Sequence, residues 1–301
     1  MMFQTVRIEE ALAIAVCLAL GGASPEPQGA VSQQWLGSVA LDLTEVADST
    51  QDLVYRYRIV NPSASRAGVA SVRLDLSAPA GTGYLELPFT GEVVRGPGRR
   101  ADHVPIGGIA PDRWRMQLLY NAFMHWYSHD EPVVVNDSGL PSNVDSAAPG
   151  GVKEGFGLRS PYLPGVRRFW AEPTYQSCCS KPIPNTPENE YPNPSRFRVL
   201  GFAVAPTVRP RDMNLPTLTS DLRHACEDLH WIVDASVCQL LRARLGDVAG
   251  LLQRHDRTAA ISALSRFLDD LERQHRLATK PVNNNAYWLL KVNAEYLRSH
   301  L

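Results

Sequence analysis

Apolar and polar positions alternate with a period of two from about residue 31 to residue 206, which is the pattern of half-buried β-strands. In residues 53–60 (LVYRYRIV), Tyr55 and Ile59 share one face of an extended segment, and the two arginines of the run face the other way. Residues 69–76 repeat the alternation after an Asn-Pro-Ser turn. We expect these two segments to pair as a hairpin.

The same alternation recurs in further short segments that are separated by glycine and proline clusters. Many short strands with frequent turns favour antiparallel sheets over alternating strands and helices. We therefore predict a mainly β plus α protein, in which residues 30–208 form an antiparallel Ig-like β-sandwich. The further strand candidates are 35–43, 84–88, 114–127, 154–160, 168–175 and 196–206.

Near residue 217 the apolar period changes to 3.6, which is typical of amphipathic helices. A first helix is expected to begin at Thr219 or Ser220, and apolar stripes mark two later helices at 260–271 and 286–297. Each stripe is narrow and must be covered by the others. A small three-to-four-helix bundle is therefore predicted for 219–301, after a linker at 209–218. The second helix carries its stripe at Leu241, Leu245, Val248 and Leu252.

The helical part also resembles a known family. The run RARLGDVAGLLQRHDRTAAISALSRFLDDLERQ, followed by VNNNAYWLLKVNAEYLRSHL, is similar to the FIMAH-type helical domain of secreted bacterial multidomain proteins. The similarity covers about residues 222–301, and this chain departs from it through Cys226, Cys238 and the Asn run at 283–285. The resemblance implies export and a modular protein, and it implies no particular reaction. The β part resembles no family beyond its general likeness to Ig-like or fibronectin-like sandwiches.

The N-terminus has the features of a secretory signal. Residues 11–20 (ALAIAVCLAL) are uncharged and apolar, and small residues precede a cleavage position after Ala23. The run is too short to span a bilayer. Cys17 lies inside it rather than after it, so we do not expect a lipid-modified cysteine. We predict a signal peptide at 1–23 and a secreted or periplasmic mature chain that does not span a membrane.

Four cysteines remain after removal of the signal, and an even number in an oxidising compartment predicts disulfides with three possible connectivities. Cys226 and Cys238 flank a break between two helical patterns, which favours a bond between them. Cys178 and Cys179 then form a vicinal disulfide or remain thiols. Zinc binding is disfavoured because no paired C-x-x-C spacing is present.

Length and charge narrow the function classes. A chain of 301 residues exceeds what one small core needs, so two domains are expected. The 30 Lys and Arg residues are balanced by 31 Asp and Glu residues, for a net charge of -1. This balance leaves no positive excess for phosphates, and we predict no nucleic-acid partner.

The sequence contains no motif that predicts catalysis or a cofactor. No nucleophile elbow, phosphate-binding loop or dinucleotide fingerprint is present. His125 and His129 have a spacing that would place two metal ligands together on a helix. The alternation in 114–127 indicates a strand instead of a helix. On a strand the two histidines would lie about 13 Å apart, too far to bind one metal ion together. We predict neither a metal site nor a cofactor.

The candidate ligand-binding residues are Arg168, Phe169 and Trp170, which follow Arg167. Cations beside aromatic residues are typical of binding hot spots. The competing interpretation is that aromatic residues which alternate along a strand belong to the core.

Together these features predict a secreted, non-catalytic binding or interaction protein of the bacterial envelope or exterior. A polysaccharide or another envelope protein is the expected partner. Two alternatives remain open at this stage. One is a secreted hydrolase with loop-borne residues that include His125, Asp130 and Glu172, and the other is an accessory subunit of an exported assembly.

Overall fold

The computed structural model describes residues 35–49, 52–76, 107–119, 123–128, 133–135, 141–143, 145–173 and 198–301, which belong to one compact unit. These ranges contain eleven strands and four α-helices. The strands are β1 (Ala40–Asp48), β2 (Leu53–Val60), β3 (Val69–Asp75), β4 (Gly107–Ile109), β5 (Trp114–Leu119), β6 (Phe123–Ser128), β7 (Val133–Val135), β8 (Pro141–Asn143), β9 (Val152–Ser160), β10 (Leu163–Pro173) and β11 (Val199–Val208). The helices are α1 (Leu215–Glu227), α2 (Ala235–Gln253), α3 (Arg257–Arg276) and α4 (Asn284–His300).

The strands form two larger antiparallel sheets and a short ribbon. The four-stranded sheet has the order β1-β2-β9-β4, and the five-stranded sheet has the order β11-β10-β3-β6-β5. The ribbon consists of β7 and β8. The prediction of a mixed protein, with antiparallel sheets first and helices last, is confirmed.

Two strand predictions are wrong in their pairing. Residues 69–76 do not form a hairpin with 53–60, because β2 pairs with β1 and β9, whereas β3 pairs with β10 and β6 in the other sheet. Residues 61–68 cross between the sheets instead of reversing within one. The predicted strand 114–127 is two strands, β5 and β6, which pair with each other. Alternation alone gave no sign of this reversal, since it continues in both strands.

Aromatic side chains join the inner faces of the two sheets. The Trp126 ring, on β6, lies 6.0 Å from the Tyr57 ring and 5.9 Å from the Phe156 ring of the other sheet. Trp114 meets Phe156 edge to face at 4.8 Å. Tyr55 and Tyr57 are completely buried, as the alternation in 53–60 predicts. The hydrophobic core extends from these sheets into the helices.

Each helix begins where a side-chain oxygen accepts a hydrogen bond from a free backbone N–H of the first turn, which is the usual N-cap. The first helix begins at Leu215, inside the predicted linker and before the predicted start at Thr219 or Ser220. Pro216 is compatible with this earlier start, because proline lacks only an N–H that the first turn leaves unpaired. The four N-caps are Asn214, Asp234, Asp256 and Asn283.

The predicted disulfide between Cys226 and Cys238 is present. It joins the end of α1 to the first turn of α2, and the two Cα atoms lie 6.1 Å apart. Cys178 and Cys179 lie outside the described residues. No described helix is both long and apolar enough to cross a membrane.

The last helix covers the outer edge of the four-stranded sheet. Strand β1 is the edge strand, and the Asn285 side chain accepts from the Leu43 N–H at 2.9 Å and donates to the Leu41 carbonyl at 3.3 Å. The indole N–H of Trp288 donates to the Thr44 carbonyl at 3.0 Å. An amide side chain therefore satisfies edge groups that a neighbouring strand would otherwise satisfy.

A second amide connects α4 to α1 and to strand β10. The Asn293 Nδ2 group donates to the Pro164 carbonyl and to Asp221 Oδ2, both at 3.1 Å. Asp221 is 1% exposed, and burial raises the pKa of its carboxyl well above the ordinary value. The Asn293 Oδ1 atom is buried and has no hydrogen-bond partner in the described part of the chain. Burial therefore favours a neutral Asp221 carboxyl, and the hydrogen bond that Asn293 donates opposes this shift only in part.

Candidate functional site

The predicted ligand-binding residues lie on β10, the second strand of the five-stranded sheet. Phe169 is 1% exposed and belongs to the core. Trp170 is 4% exposed and meets the Phe123 ring edge to face at 5.5 Å. The Arg168 guanidinium pairs with buried Asp75 at 3.0 Å. A ligand role for Arg168, Phe169 and Trp170 stays a prediction, and the two rings offer almost no exposed surface for it.

Of the residues in the hydrolase alternative, the structure describes His125 and Glu172. Asp130 lies outside the described residues, as does His129 of the histidine pair considered for metal binding. His125 and Glu172 are brought together by Ser71, which contacts both of them. No local pattern predicts this contact, because the three residues lie on three different strands.

These residues belong to a polar network on the face of the five-stranded sheet that points away from the core, and three of its members, Ser71, His125 and Glu172, are buried. We define this network as Ser71, Arg73, Gln117, His125 and Glu172. The distances are 2.8 Å from Ser71 Oγ to His125 Nε2, 3.4 Å from Ser71 Oγ to Glu172 Oε2, 3.2 Å from the Arg73 guanidinium to Glu172 Oε2, and 3.1 Å from the Gln117 amide nitrogen to His125 Nδ1.

The donors and acceptors of the network follow one direction. The Gln117 amide donates to His125 Nδ1, so the Nε2–H of His125 donates to Ser71 Oγ. The Ser71 hydroxyl in turn donates to Glu172. Burial, with a smaller effect of the nearby Arg73 charge, lowers the pKa of His125 to about 4. His125 is therefore a neutral imidazole at pH 7.

This arrangement is better suited to holding strands together than to nucleophilic chemistry. Ser71 lies on β3, which is paired on both sides, and its backbone N–H groups belong to sheet ladders. Acyl transfer needs free N–H donors beside the nucleophile to stabilise an oxyanion. In addition, Ser71 is 6% exposed, and its hydroxyl accepts a hydrogen bond from His125 instead of donating one to it.

A groove between the four-stranded sheet and the end of α4 contrasts with this network. Its first half, which we name the acidic pocket, has a volume of about 740 Å³. Its walls are the end of β1, the start of β2, the start of β10 and the last turns of α4. The polar residues that line it are Asp48, Ser49, Asp52, Glu295, Tyr296, Ser299 and His300.

The second half, which we name the apolar pocket, has a volume of about 500 Å³. It lies between the start of α1 and the packed helices α2, α3 and α4. The two pockets share Pro210, Tyr296 and His300, so they are adjacent parts of one groove. The apolar side chains that line the second half include Met213, Leu215, Val248, Leu252, Leu264 and Leu297.

The charge of the acidic pocket is one-sided, whereas the lining of the apolar pocket includes Arg211. The acidic pocket has three carboxylates and neither a lysine nor an arginine in its lining. The carboxylates of Asp48 and Asp52 form no ion pair with any described residue, and Glu295 lies 3.9 Å from Lys291 Nζ. In the described ranges, no three His, Cys, Asp or Glu side chains are grouped so that they could hold a metal ion. The negative charge is therefore spread along the groove instead of converging on one point.

Aromatic rings mark the junction of the two pockets. The Tyr296 and His300 rings stack with centroids 3.9 Å apart, one turn apart on α4. His300 Nδ1 lies 2.8 Å from the Tyr296 carbonyl, which fixes the imidazole beside the helix end. Both rings line both pockets.

Comparison with protein-family models, curated proteins and solved structures finds no match to this chain. The similarity of 222–301 to the FIMAH-type domain thus stays a prediction.

Sequence reasoning missed the groove because its residues come from separate segments. Asp48 and Asp52 flank the turn between β1 and β2, whereas Tyr296 and His300 end the last helix. The one local signal was the spacing of Tyr296 and His300, which places both rings on one helical face.

Proposed function

We propose that this protein is an exported binding protein of the bacterial envelope or exterior, and that its ligand occupies the groove between the sheet and α4. The observation that carries the proposal is the joining of an acidic and an apolar pocket at Tyr296 and His300. Ligand sites are typically concave and hold a few polar groups beside apolar walls. Each pocket has the volume of such a site.

Export is supported by the apolar run before Ala23 and by the disulfide Cys226–Cys238, because disulfides persist in oxidising compartments. The architecture that we propose is an Ig-like sandwich followed by a FIMAH-type helical bundle. Two antiparallel sheets and four helices support it at a coarser level. N-terminal sequencing of the exported protein tests the leader, and we expect Ser24 as the first residue. Retention of Met1 would contradict export by this signal.

Binding in the groove is tested by a substitution that fills the groove with a bulky side chain. Ser299 is exposed at the groove wall in the last turn of α4, so Ser299→Trp fills space that the ligand needs. Ser262→Trp is the matched control, since Ser262 is an exposed serine on α3 whose hydroxyl also bonds to a carbonyl of the preceding turn. We expect a glycan array and a displayed peptide library to give a ligand whose affinity falls at least about tenfold in Ser299→Trp only. Equal binding by both variants, or no ligand on either panel, would refute the proposal.

Hydrolysis is a second candidate function, and the contact of Ser71 with both His125 and Glu172 favours it. A serine hydrolase would be labelled on Ser71 by a fluorophosphonate probe and would lose the label in Ser71→Ala. Absence of labelling in the wild-type protein would remove this candidate. The accessory-subunit alternative has little support in the described helical part, which exposes Val233 and Leu277 as its large apolar side chains.

A further inference from the structure

We propose that the occupant of the groove is an extended polypeptide segment with a lysine or arginine close to a large apolar residue. This inference rests on the proposed function and names the class of ligand. The basic side chain would occupy the acidic pocket, and the apolar side chain would occupy the apolar pocket.

The first argument is charge. Asp48, Asp52 and Glu295 face a pocket whose lining has no lysine or arginine. The pocket also lies at the C-terminal end of α4, where the helix dipole adds negative potential. Both contributions favour a cation and repel phosphates and acidic sugars. Nucleic acids and anionic glycans are therefore poor ligands for this surface.

The second argument is the form of the cation site. Because the carboxylates do not converge on one point, a long side chain that passes along them fits better than a small ion. Lysine and arginine have such a shape, with an apolar stem and a charged end. The Tyr296 ring at the junction offers such a stem an apolar surface and the charged end an aromatic face.

The third argument is the apolar pocket. Leu215, Leu252 and Leu297 lie where the ligand continues past Tyr296, and Arg211 and Asn214 also line this pocket. A sugar would lose hydrogen bonds to water against these side chains without regaining them. An aliphatic or aromatic side chain gains from the same contact. The two pockets together therefore favour a polypeptide over a glycan.

The test selects ligands from a random peptide library displayed on phage, with the full exported chain as bait. We expect selected sequences to contain Lys or Arg within a few positions of Leu, Ile or Phe. A synthetic peptide of the selected sequence is then compared with versions in which the basic residue is Gln or the apolar residue is Ser. Each replacement should weaken binding about tenfold or more, and added salt should weaken it further.

Charge reversal on the protein gives the matching measurement. Asp48→Lys with Glu295→Lys should weaken the peptide at least about tenfold, and the milder pair Asp48→Asn with Glu295→Gln should have a smaller effect of the same sign. The control pair is Asp112→Lys with Asp269→Lys, which reverses two exposed carboxylates outside the groove lining and should leave affinity unchanged. Circular dichroism of each variant tests whether it is folded.

The outcomes separate this inference from the proposed function. Selection of acidic or neutral peptides, or a glycan that Ser299→Trp displaces, would overturn the ligand class and leave the groove as the binding site. Peptide binding that is equally strong in Ser299→Trp would overturn both. Equal weakening by the groove pair and the control pair would show a nonspecific charge effect and would also overturn the inference.

Discussion

The polar network and the groove use similar side chains in opposite ways. In the network, a hydroxyl, an imidazole, a carboxylate and a guanidinium bond to one another, and Arg73 Nε is left without a partner among the described residues. In the groove, two aspartates face open space with no counter-ion among the described residues. Residue type alone would have assigned function to the network, where histidine and serine meet. Our proposal places the ligand in the groove instead, because Asp48 and Asp52 have no counter-ion among the described residues.

The largest expected loss of stability comes from removing the side chain of Glu172, which is 4% exposed. Glu172→Ala leaves the Ser71 hydroxyl and the Arg73 guanidinium without their acceptor, and we expect the free energy of unfolding to fall by about 3 kcal/mol. Urea denaturation measures this loss. Arg73→Ala combined with Glu172→Ala should recover part of it, because the unpaired charge is then gone. A loss below about 1 kcal/mol in Glu172→Ala would show that the network does not stabilise the sheet.

The next effect is a pH dependence that arises from His125. Its folded pKa of about 4 lies below the ordinary value of about 6.5, so the unfolded chain takes up the proton first as pH falls. This contribution to stability is complete above about pH 6.5 and is lost as pH falls towards 4, by about 3 kcal/mol. Unfolding measured from pH 7 to pH 4 in the wild type and in His125→Gln should differ in slope. Parallel curves would contradict the neutral imidazole.

The buried carboxyl of Asp221 can be compared with that of Glu172. Asp221 accepts from the Asn293 amide, whereas Glu172 accepts from the Arg73 cation. The folded pKa of Asp221 is raised, so its contribution to stability is present below the unfolded pKa and is lost as pH rises towards the folded pKa. Asp221→Asn keeps the acceptor, cannot ionise and adds a donor for Asn293 Oδ1. We expect it to stabilise the protein by about 1 kcal/mol at pH 7 and by less at pH 4. Destabilisation at pH 7 would indicate an ionised carboxylate.

The smallest expected effect is on stability in the groove. Asp48→Ala combined with Glu295→Ala removes one carboxylate without an ion pair among the described residues and one whose contact with Lys291 spans 3.9 Å, and the free energy of unfolding should change by at most about 0.5 kcal/mol. Thermal and urea denaturation both measure it. A loss as large as that of Glu172→Ala would mean that these groups are structural, and the contrast between the two regions would disappear.

Sequence reasoning succeeded where the determining pattern is local. The alternation in 53–60 gave the buried tyrosines of β2, and the break between two helical stripes gave the pairing of Cys226 with Cys238. It failed where pairing is long-range: residues 69–76 carry the expected pattern but belong to the other sheet. Alternation specifies which face of a strand is buried, and it does not specify the neighbour.

The same limit explains the candidate site. Arg168, Phe169 and Trp170 have the composition of a hot spot. Their exposure, however, is decided by packing against residues that are distant in the sequence, such as Asp75 and Phe123. The groove forms only where the end of β1 and the start of β2 lie beside the end of α4, and these segments are more than two hundred residues apart in the sequence. Burial and proximity between distant segments are properties of the tertiary fold alone.

The amide of Asn285 has a consequence beyond holding α4 in place. By bonding to Leu41 and Leu43 it occupies hydrogen-bonding positions that another chain would need in order to extend the four-stranded sheet from β1. Helix α4 thus blocks the pairing of β1 with a strand of another chain. Proteolysis that released this helix would expose these backbone groups of β1 and would also remove one wall of the groove.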